Sequence, residues 1–342
     1  MDSRWYPLSS PQYDLWMDEQ QNPGSFMNVI HAAATIYEEI DELRLERAVN
    51  EMVRLNDSFR LHMGIHEGEA GQYLEEYRPF SCKVLDFSKE PEKAEKWLKN
   101  QALKGIRLEE SNLWEFTIVR LPEGKRLLDA RIHHIISDGF NFGLVFEKIF
   151  ALYEKLGEND PFLEEPSYLD FVLKDQTYNG SEQQEEDKVF WEQYLENVPL
   201  APQIRPDAGQ RRAARGREIL PLGKSLSEKV VSFAKENGFT PFHVMHSALA
   251  VYISRCCQVR DVVLTIPRLN RDTEIERRTL GEFTVAVPVR LRLTPEKTFL
   301  ELCGDSREQN RVCAAHKKYG YVSILDDLHQ DGYEGAPSHF TL

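Results

Sequence analysis

Cysteine is scarce in this 342-residue chain: Cys82, Cys256, Cys257, Cys303 and Cys313 are odd in number, scattered, and include no CxxC pair. That usage argues against a disulfide framework and reads as reduced thiols. Long apolar runs are missing as well. None approaches the roughly 18 residues that a membrane span needs, and Met1-Asp2-Ser3-Arg4-Trp5-Tyr6-Pro7 opens without the apolar stretch of a signal peptide. No membrane partner and a cytoplasmic location are therefore expected. Basic residues fall short of acidic ones, 42 Lys+Arg against 56 Asp+Glu, for a formal charge of -14. The summed field repels phosphate backbones and anionic lipid, which sets nucleic acid aside as a partner. No short-period repeat runs through the chain.

What is present is the balance of a globular protein, 41% apolar and 29% charged, long enough for two domains. Ser10 and Pro11 read as the N-cap and first position of a helix over Gln12 to Gln20, ended at Pro23-Gly24. A strand over Val29 to Ile36 and a helix over Leu43 to Leu55 follow from period-2 and 3.6 spacing. Short strands are expected at Phe59 to Met63, Gly71 to Leu74 and Val84 to Phe87, and a charged helix from Pro91 to Lys104. Phe116 to Leu121 and Arg126 to Ile132 alternate on either side of Pro122-Glu123-Gly124, a hairpin signature. Helices are expected over Phe142 to Leu156, stopping near Gly157, and over Tyr168 to Gln176 and Glu185 to Glu196. Pro199 to Gly216 reads as a linker.

Beyond it, helices over Lys224 to Asn237, Thr240 to Cys256 and Phe299 to His316 alternate with strands over Asp261 to Ile266, bounded by Pro267, and Val285 to Leu293. The tail Gly335 to Leu342 looks like a strand cut short, so a fragment is expected. The pattern is α/β, with one domain over 1–178 and a second, partial one over 179–342.

Chemistry concentrates in His133-His134-Ile135-Ile136-Ser137-Asp138-Gly139, at the end of a strand. Adjacent strand residues face opposite ways, so one histidine turns inward and the other toward what lies beyond the strand end. Imidazole titrates near neutral pH and suits proton transfer from an attacking amine or hydroxyl. Asp138 falls on the following turn, where a buried carboxylate needs a cation; Arg60 and Arg290 are the candidates, both in segments that read as strands. Gly139 leaves room where backbone passes close to a ligand or another strand. Against this stands a plainer reading, in which a histidine at a strand end is a satisfied polar residue.

Other clusters carry less. His243 and His246 at i, i+3 could form half a metal site, but no Glu or Cys joins them and a partly buried helix accounts for both. Arg211, Arg212, Arg215 and Arg217 read as a solvated linker, Glu182 to Asp187 as an exposed helix start, and Trp16, Trp97, Trp114 and Trp191 as packing residues.

The run from His133 to Gly139 matches HHxxxDG, and the chain resembles the condensation domains of nonribosomal peptide synthetases, within the chloramphenicol acetyltransferase-like superfamily. Further stretches agree in order. Ser9 to Trp16 resembles S-x-A-Q-x-R-L-W, Asn56 to Arg60 resembles R-H-E-x-L-R, and Tyr168 to Phe171 matches Y-x-D-F. Ile266 to Arg271 resembles the segment after the buried strand, and Gly281 to Arg290 resembles G-x-F-V-N-T-x-x-x-R. Two departures stand out: Val285 replaces the usual Asn, and Leu55-Asn56 the leading Arg-His.

The resemblance implies two acyltransferase-like lobes, mixed sheets flanked by helices, in a V shape with the second lobe incomplete. It implies His134 as the catalytic residue, His133 as structural, an Asp138–Arg290 pair holding the loop, and Gly139 letting the substrate tunnel pass. The implied reaction is amide formation between two thioesters on phosphopantetheine arms, which enter from opposite faces of a cleft. No cofactor is bound directly. The implied partners are donor and acceptor peptidyl carrier proteins and an adjacent adenylation domain. An epimerising relative, a free-standing acyltransferase using a coenzyme A thioester, and a non-catalytic carrier-docking domain stay open. A cyclising relative is disfavoured, because its aspartates are absent where His133 and His134 stand.

Overall fold

The computed structural model describes residues 4–109, 112–156, 164–204, 220–338 and 341–342. Arg211, Arg212, Arg215, Arg217, most of the expected linker, the stop at Gly157 and His339 lie outside the described residues. The chain divides into two units: Met1–Ser181 with Leu269–Thr284, and Glu182–Arg268 with Val285–Leu342. The segment Leu269–Thr284 thus belongs to the first unit, where a simple division near residue 178 had placed it in the second.

The first unit is built on a mixed sheet ordered β2-β7-β6-β5, from Val29–Ile36 (β2), Lys83–Asp86 (β5), Trp114–Arg120 (β6) and Arg126–His133 (β7). The hairpin β6–β7 forms as its alternation predicts, in register Trp114 to Ile132 through Arg120 to Arg126. On the other side β2 runs antiparallel to β7, so Val29 faces His133. Central position explains the composition of β7: Leu128, Ala130 and Ile132 enter the core with Phe116 and Ile118 of β6. The alternate residues from Asp129 onward are buried too, and each of these is polar and paired or close to a partner. Asp129 lies 2.7 Å from His31, Arg131 pairs with Glu115, and His133 approaches Glu19. That alternation turns successive side chains of one strand to opposite faces.

Helix Glu42–Leu55 (α2) buries Leu45, Val49 and Met52 against this core, together with Val145 and Ile149 of Asn141–Lys155 (α4). A second sheet, ordered β1-β4-β3, comprises Trp5–Pro7 (β1), Leu61–His66 (β3) and Glu69–Leu74 (β4). Helix Ser10–Gln21 (α1) starts one residue earlier than expected. Ser9, not Ser10, is the N-cap, in a capping box with Gln12.

In the second unit, Asp261–Leu269 (β8) pairs with Thr284–Arg292 (β9), with each strand's last or first residue counted in the first unit. Helices Glu182–Tyr194 (α6), Lys224–Glu236 (α7), Pro241–Cys257 (α8), Phe299–Ala315 (α10) and Tyr321–Gln330 (α11) complete it. Strand β8 runs through Pro267 instead of stopping before it. Pro267 is exposed in a two-stranded sheet, where an edge tolerates a missing N–H. Thr341 bridges Thr265 in parallel, with Leu342 N donating to Thr265 O at 3.1 Å.

His243 caps α8 with Thr240, while His246 is buried, 2.8 Å from Ser306 Oγ, and burial pushes its pKa down to about 4. The first serves the helix end and the second ties α8 to the helix Phe299–Ala315. Among the described residues no helix is long and apolar enough to cross a membrane.

Candidate active site

His133 ends β7 and is fully buried; its Nδ1 accepts from Ile135 N at 3.0 Å, and its Nε2 lies 3.4 Å from Glu19 Oε1. His134 opens the turn that follows, and its side chain keeps 27% of its surface exposed. Strand alternation predicted this division of the pair, one ring in and one out.

Asp138 has no exposed surface and is paired with Arg271, not Arg290. Its Oδ2 accepts from Arg271 Nη2 at 2.9 Å and Nε at 3.3 Å, and its Oδ1 accepts from Asn141 N at 2.9 Å. Arg271, 1% exposed, spends its remaining donors on Thr279 O at 2.7 Å, Asn141 Oδ1 at 2.7 Å, Gly281 O at 3.2 Å and Glu276 O. Its guanidinium sits 3.8 Å from the centre of the Phe283 ring. A charge this deep persists because every part of the planar fork finds an acceptor.

The two arginines singled out from the sequence sit elsewhere. Arg290 belongs to the second unit, where it grips Asp261 at 2.7 to 3.0 Å and donates to the carbonyls of Tyr194, Glu196 and Asn197 at the end of α6. Its work is at a helix C-terminus, where cations complement the dipole. Arg60 donates to Glu75 O at 3.0 Å, and burial lowers its pKa. At Gly139 a Cβ would meet nothing within 4 Å, so of the two expected reasons for glycine no neighbouring backbone of the chain supplies one. Gly139→Ala should therefore leave the stability nearly unchanged, within about 0.5 kcal/mol. A large drop in a melting experiment would show a steric role within the protein itself.

Several motifs far apart in sequence meet as one hydrogen-bonded shell around His134. Gln12 Nε2 donates to the carbonyl of Ile135 at 3.1 Å and to Gln72 Oε1 at 3.0 Å. Asp57 caps helix Tyr168–Gln176 (α5) from a distance, its carboxylate accepting from Tyr168 N at 2.8 Å and Leu169 N at 3.2 Å. The cap fixes Tyr168, whose hydroxyl donates to Glu282 O at 2.6 Å and lies 3.0 Å from Ser9 Oγ. Burial pushes that phenol well above its usual range, which keeps it a donor at neutral pH. Gly281 is needed here, because a Cβ would fall 2.0 Å from the Tyr168 ring.

Glu282, 1% exposed, completes the arrangement. One carboxylate oxygen accepts from Thr284 N at 2.6 Å; the other hydrogen-bonds His134 Nδ1. Burial of Glu282 pushes its pKa up to about 7, against the pull of His134. Desolvation opposes protonation of His134, but the Glu282 carboxylate outweighs it, helped by Asp138 and by the histidine's own backbone, and the imidazole pKa is raised.

The sequence reading missed Arg271 and Glu282. Arg271 was visible as one of two arginines just after a buried strand. Glu282 fell at a motif position that admits any residue.

A family model described as "Condensation domain" matches residues 2–340. This chain belongs to that family. Condensation domains are acyltransferases that form amide bonds. Among its relatives, surfactin synthase subunit 1 of Bacillus subtilis is 29% identical over 341 residues, covering 96% of this chain and 10% of that protein. Bacitracin synthase 2 of Bacillus licheniformis is 24% identical over 335 residues, 95% of this chain and 12% of that protein. The chain thus spans about a tenth of the length of these curated relatives. Among solved structures, the first condensation domain of the calcium-dependent antibiotic synthetase, in complex with a substrate analogue, superposes with a TM-score of 0.84 at 22% identity, covering 98% of this chain and 80% of that one. The starter condensation domain of rhizomide synthetase, in complex with C8-CoA, gives 0.82 at 21% identity, over 98% and 78%. These two likenesses establish a shared α/β fold.

Proposed function

We propose that this condensation domain joins a donor acyl or peptidyl thioester to the amine of an acceptor aminoacyl thioester. Both are delivered on the phosphopantetheine arms of carrier proteins, within a multidomain peptide synthetase that also contains an adenylation domain. The observation that supports this best is the state of His134: a partly exposed imidazole whose Nδ1 is taken by a buried carboxylate, leaving Nε2 for a reacting group, in a chain matched by the condensation-domain model over residues 2–340.

In this reading the acceptor amine attacks the donor thioester carbonyl. The new C–N bond forms, the C–S bond breaks, the amine proton passes to Nε2 of His134, and His134 returns it to the departing thiolate. Asp138 and Arg271 touch no substrate; they hold the turn that carries His134. Gly139, exposed and with open space before it, leaves room for an incoming arm.

Mass spectrometry of the protein incubated with an acyl-loaded donor carrier and an aminoacyl-loaded acceptor carrier tests the reading. The expected product is the amide on the acceptor carrier, with free thiol on the donor. An inverted stereocentre without bond formation would point to epimerisation. Turnover of soluble coenzyme A thioesters alone would point to a free-standing acyltransferase. Carrier binding without turnover would leave a docking domain.

A further inference from the structure

We propose that Glu282 is the positioning residue for His134, presenting its carboxylate to Nδ1 so that Nε2 is the nitrogen left free to act on the acceptor amine. The inference rests on the amide-forming reading above and adds a residue to it. Three observations carry it. The side chain is essentially buried, and a carboxylate taken out of water persists only when paired. Asp138, the other acid that acts on His134, is already neutralised by Arg271, whose donors are occupied by Asp138, Asn141 and backbone carbonyls. The ion-pair partner of Glu282 among the described residues is therefore His134.

The carboxylate and the backbone that carries it are also held in place. Thr284 N fixes one oxygen at 2.6 Å, Tyr168 fixes the backbone carbonyl at 2.6 Å, and Gly281 lets the segment pass against the Tyr168 ring. A carboxylate placed this way selects the tautomer protonated on Nδ1 and stabilises the imidazolium that forms when Nε2 takes a proton. Among the described residues, the charged groups that act on the ring are Glu282 and Asp138, with Arg271 paired to Asp138 and Tyr168 donating to the Glu282 carbonyl. Glu282 alone among them contacts an imidazole nitrogen and lacks another ionic partner.

The test compares the full chain with Glu282→Gln and Glu282→Asp, each with 15N-labelled histidine, and uses His134→Gln to assign the His134 signals. Imidazole shifts are followed against pH, and kcat and KM are measured over the same range with the two loaded carriers. For Glu282→Gln, the His134 midpoint should fall by about one unit or more. The acid limb of kcat/KM should move to lower pH with it, since less of the ring is then protonated. The plateau kcat should drop at least about tenfold, short of the ~10⁴ seen when a triad carboxylate is neutralised, with KM unchanged. Glu282→Asp keeps the charge at a longer reach and should restore part of both. A folded Glu282→Gln whose His134 midpoint and acid limb stay where they were overturns the proposal. Should the wild-type protein form no amide, the reaction assignment fails on its own, and the imidazole titration still decides whether Glu282 governs His134.

Discussion

Arg271→Ala should destabilise the protein by about 3–5 kcal/mol, a magnitude set by leaving one half of a buried ion pair without its partner. Asp138 would keep two backbone donors, Asn141 N at 2.9 Å and Phe283 N at 3.3 Å, but lose both guanidinium contacts in a place with no exposed surface. Thr279 O, Gly281 O and Asn141 Oδ1 would lose a donor at the same time. Arg271→Lys should rescue little, because an ammonium has no planar fork to reach acceptors on both sides. Urea unfolding at constant m reads the loss as a lower midpoint. An unchanged midpoint would mean that the Asp138–Arg271 pair contributes nothing. Arg290→Ala makes a useful contrast, since it should loosen Asp261 and the end of α6 while leaving the shell around His134 intact.

The second large effect is on rate. His134→Ala should slow amide formation about 10²- to 10⁴-fold, the usual range for a positioned acid or base, while loading of the carriers continues. Alanine also leaves Glu282 buried without its cation, so activity alone would mix chemistry with folding. The sign of the stability change follows from the raised pKa of Glu282, about 7 against an ordinary value of 4.5. A carboxyl whose folded-state pKa is raised contributes stability that is full below 4.5 and lost as pH rises toward 7. Without His134 to pull it down, Glu282 should carry that loss to still higher pH. His134→Gln, which keeps a donor near the carboxylate, should show less of it and be equally slow. Amide formation by folded His134→Gln at the wild-type rate would remove His134 from the mechanism.

Much of the architecture was legible because its elements are long and periodic. The hairpin of β6 and β7 and the helix at Tyr168–Gln176 lie where alternation and 3.6 spacing put them. Failures came from different causes. Trp5–Pro7 is three residues and Glu274–Arg278 five, too short for a period to declare itself. Tyr321–Gln330 does carry a period, with Tyr321, Ile324, Leu325 and Leu328 at helical spacing. The strand expected to end before Pro267 runs on through it because a two-stranded sheet leaves an edge where no proline N–H is needed, which local sequence does not reveal.

By itself the sequence determined the α/β alternation, the motif order that matches the condensation domains, and that His133 and His134 turn opposite ways, because a strand's two-residue period makes neighbouring side chains diverge. Which arginine neutralises Asp138, and that a glutamate holds His134, only the tertiary structure decided. Arg271 lies 133 residues from Asp138, and Glu282 lies 148 from His134. No local periodicity connects positions so far apart; charges find each other there because burial leaves a carboxylate no other source of compensation.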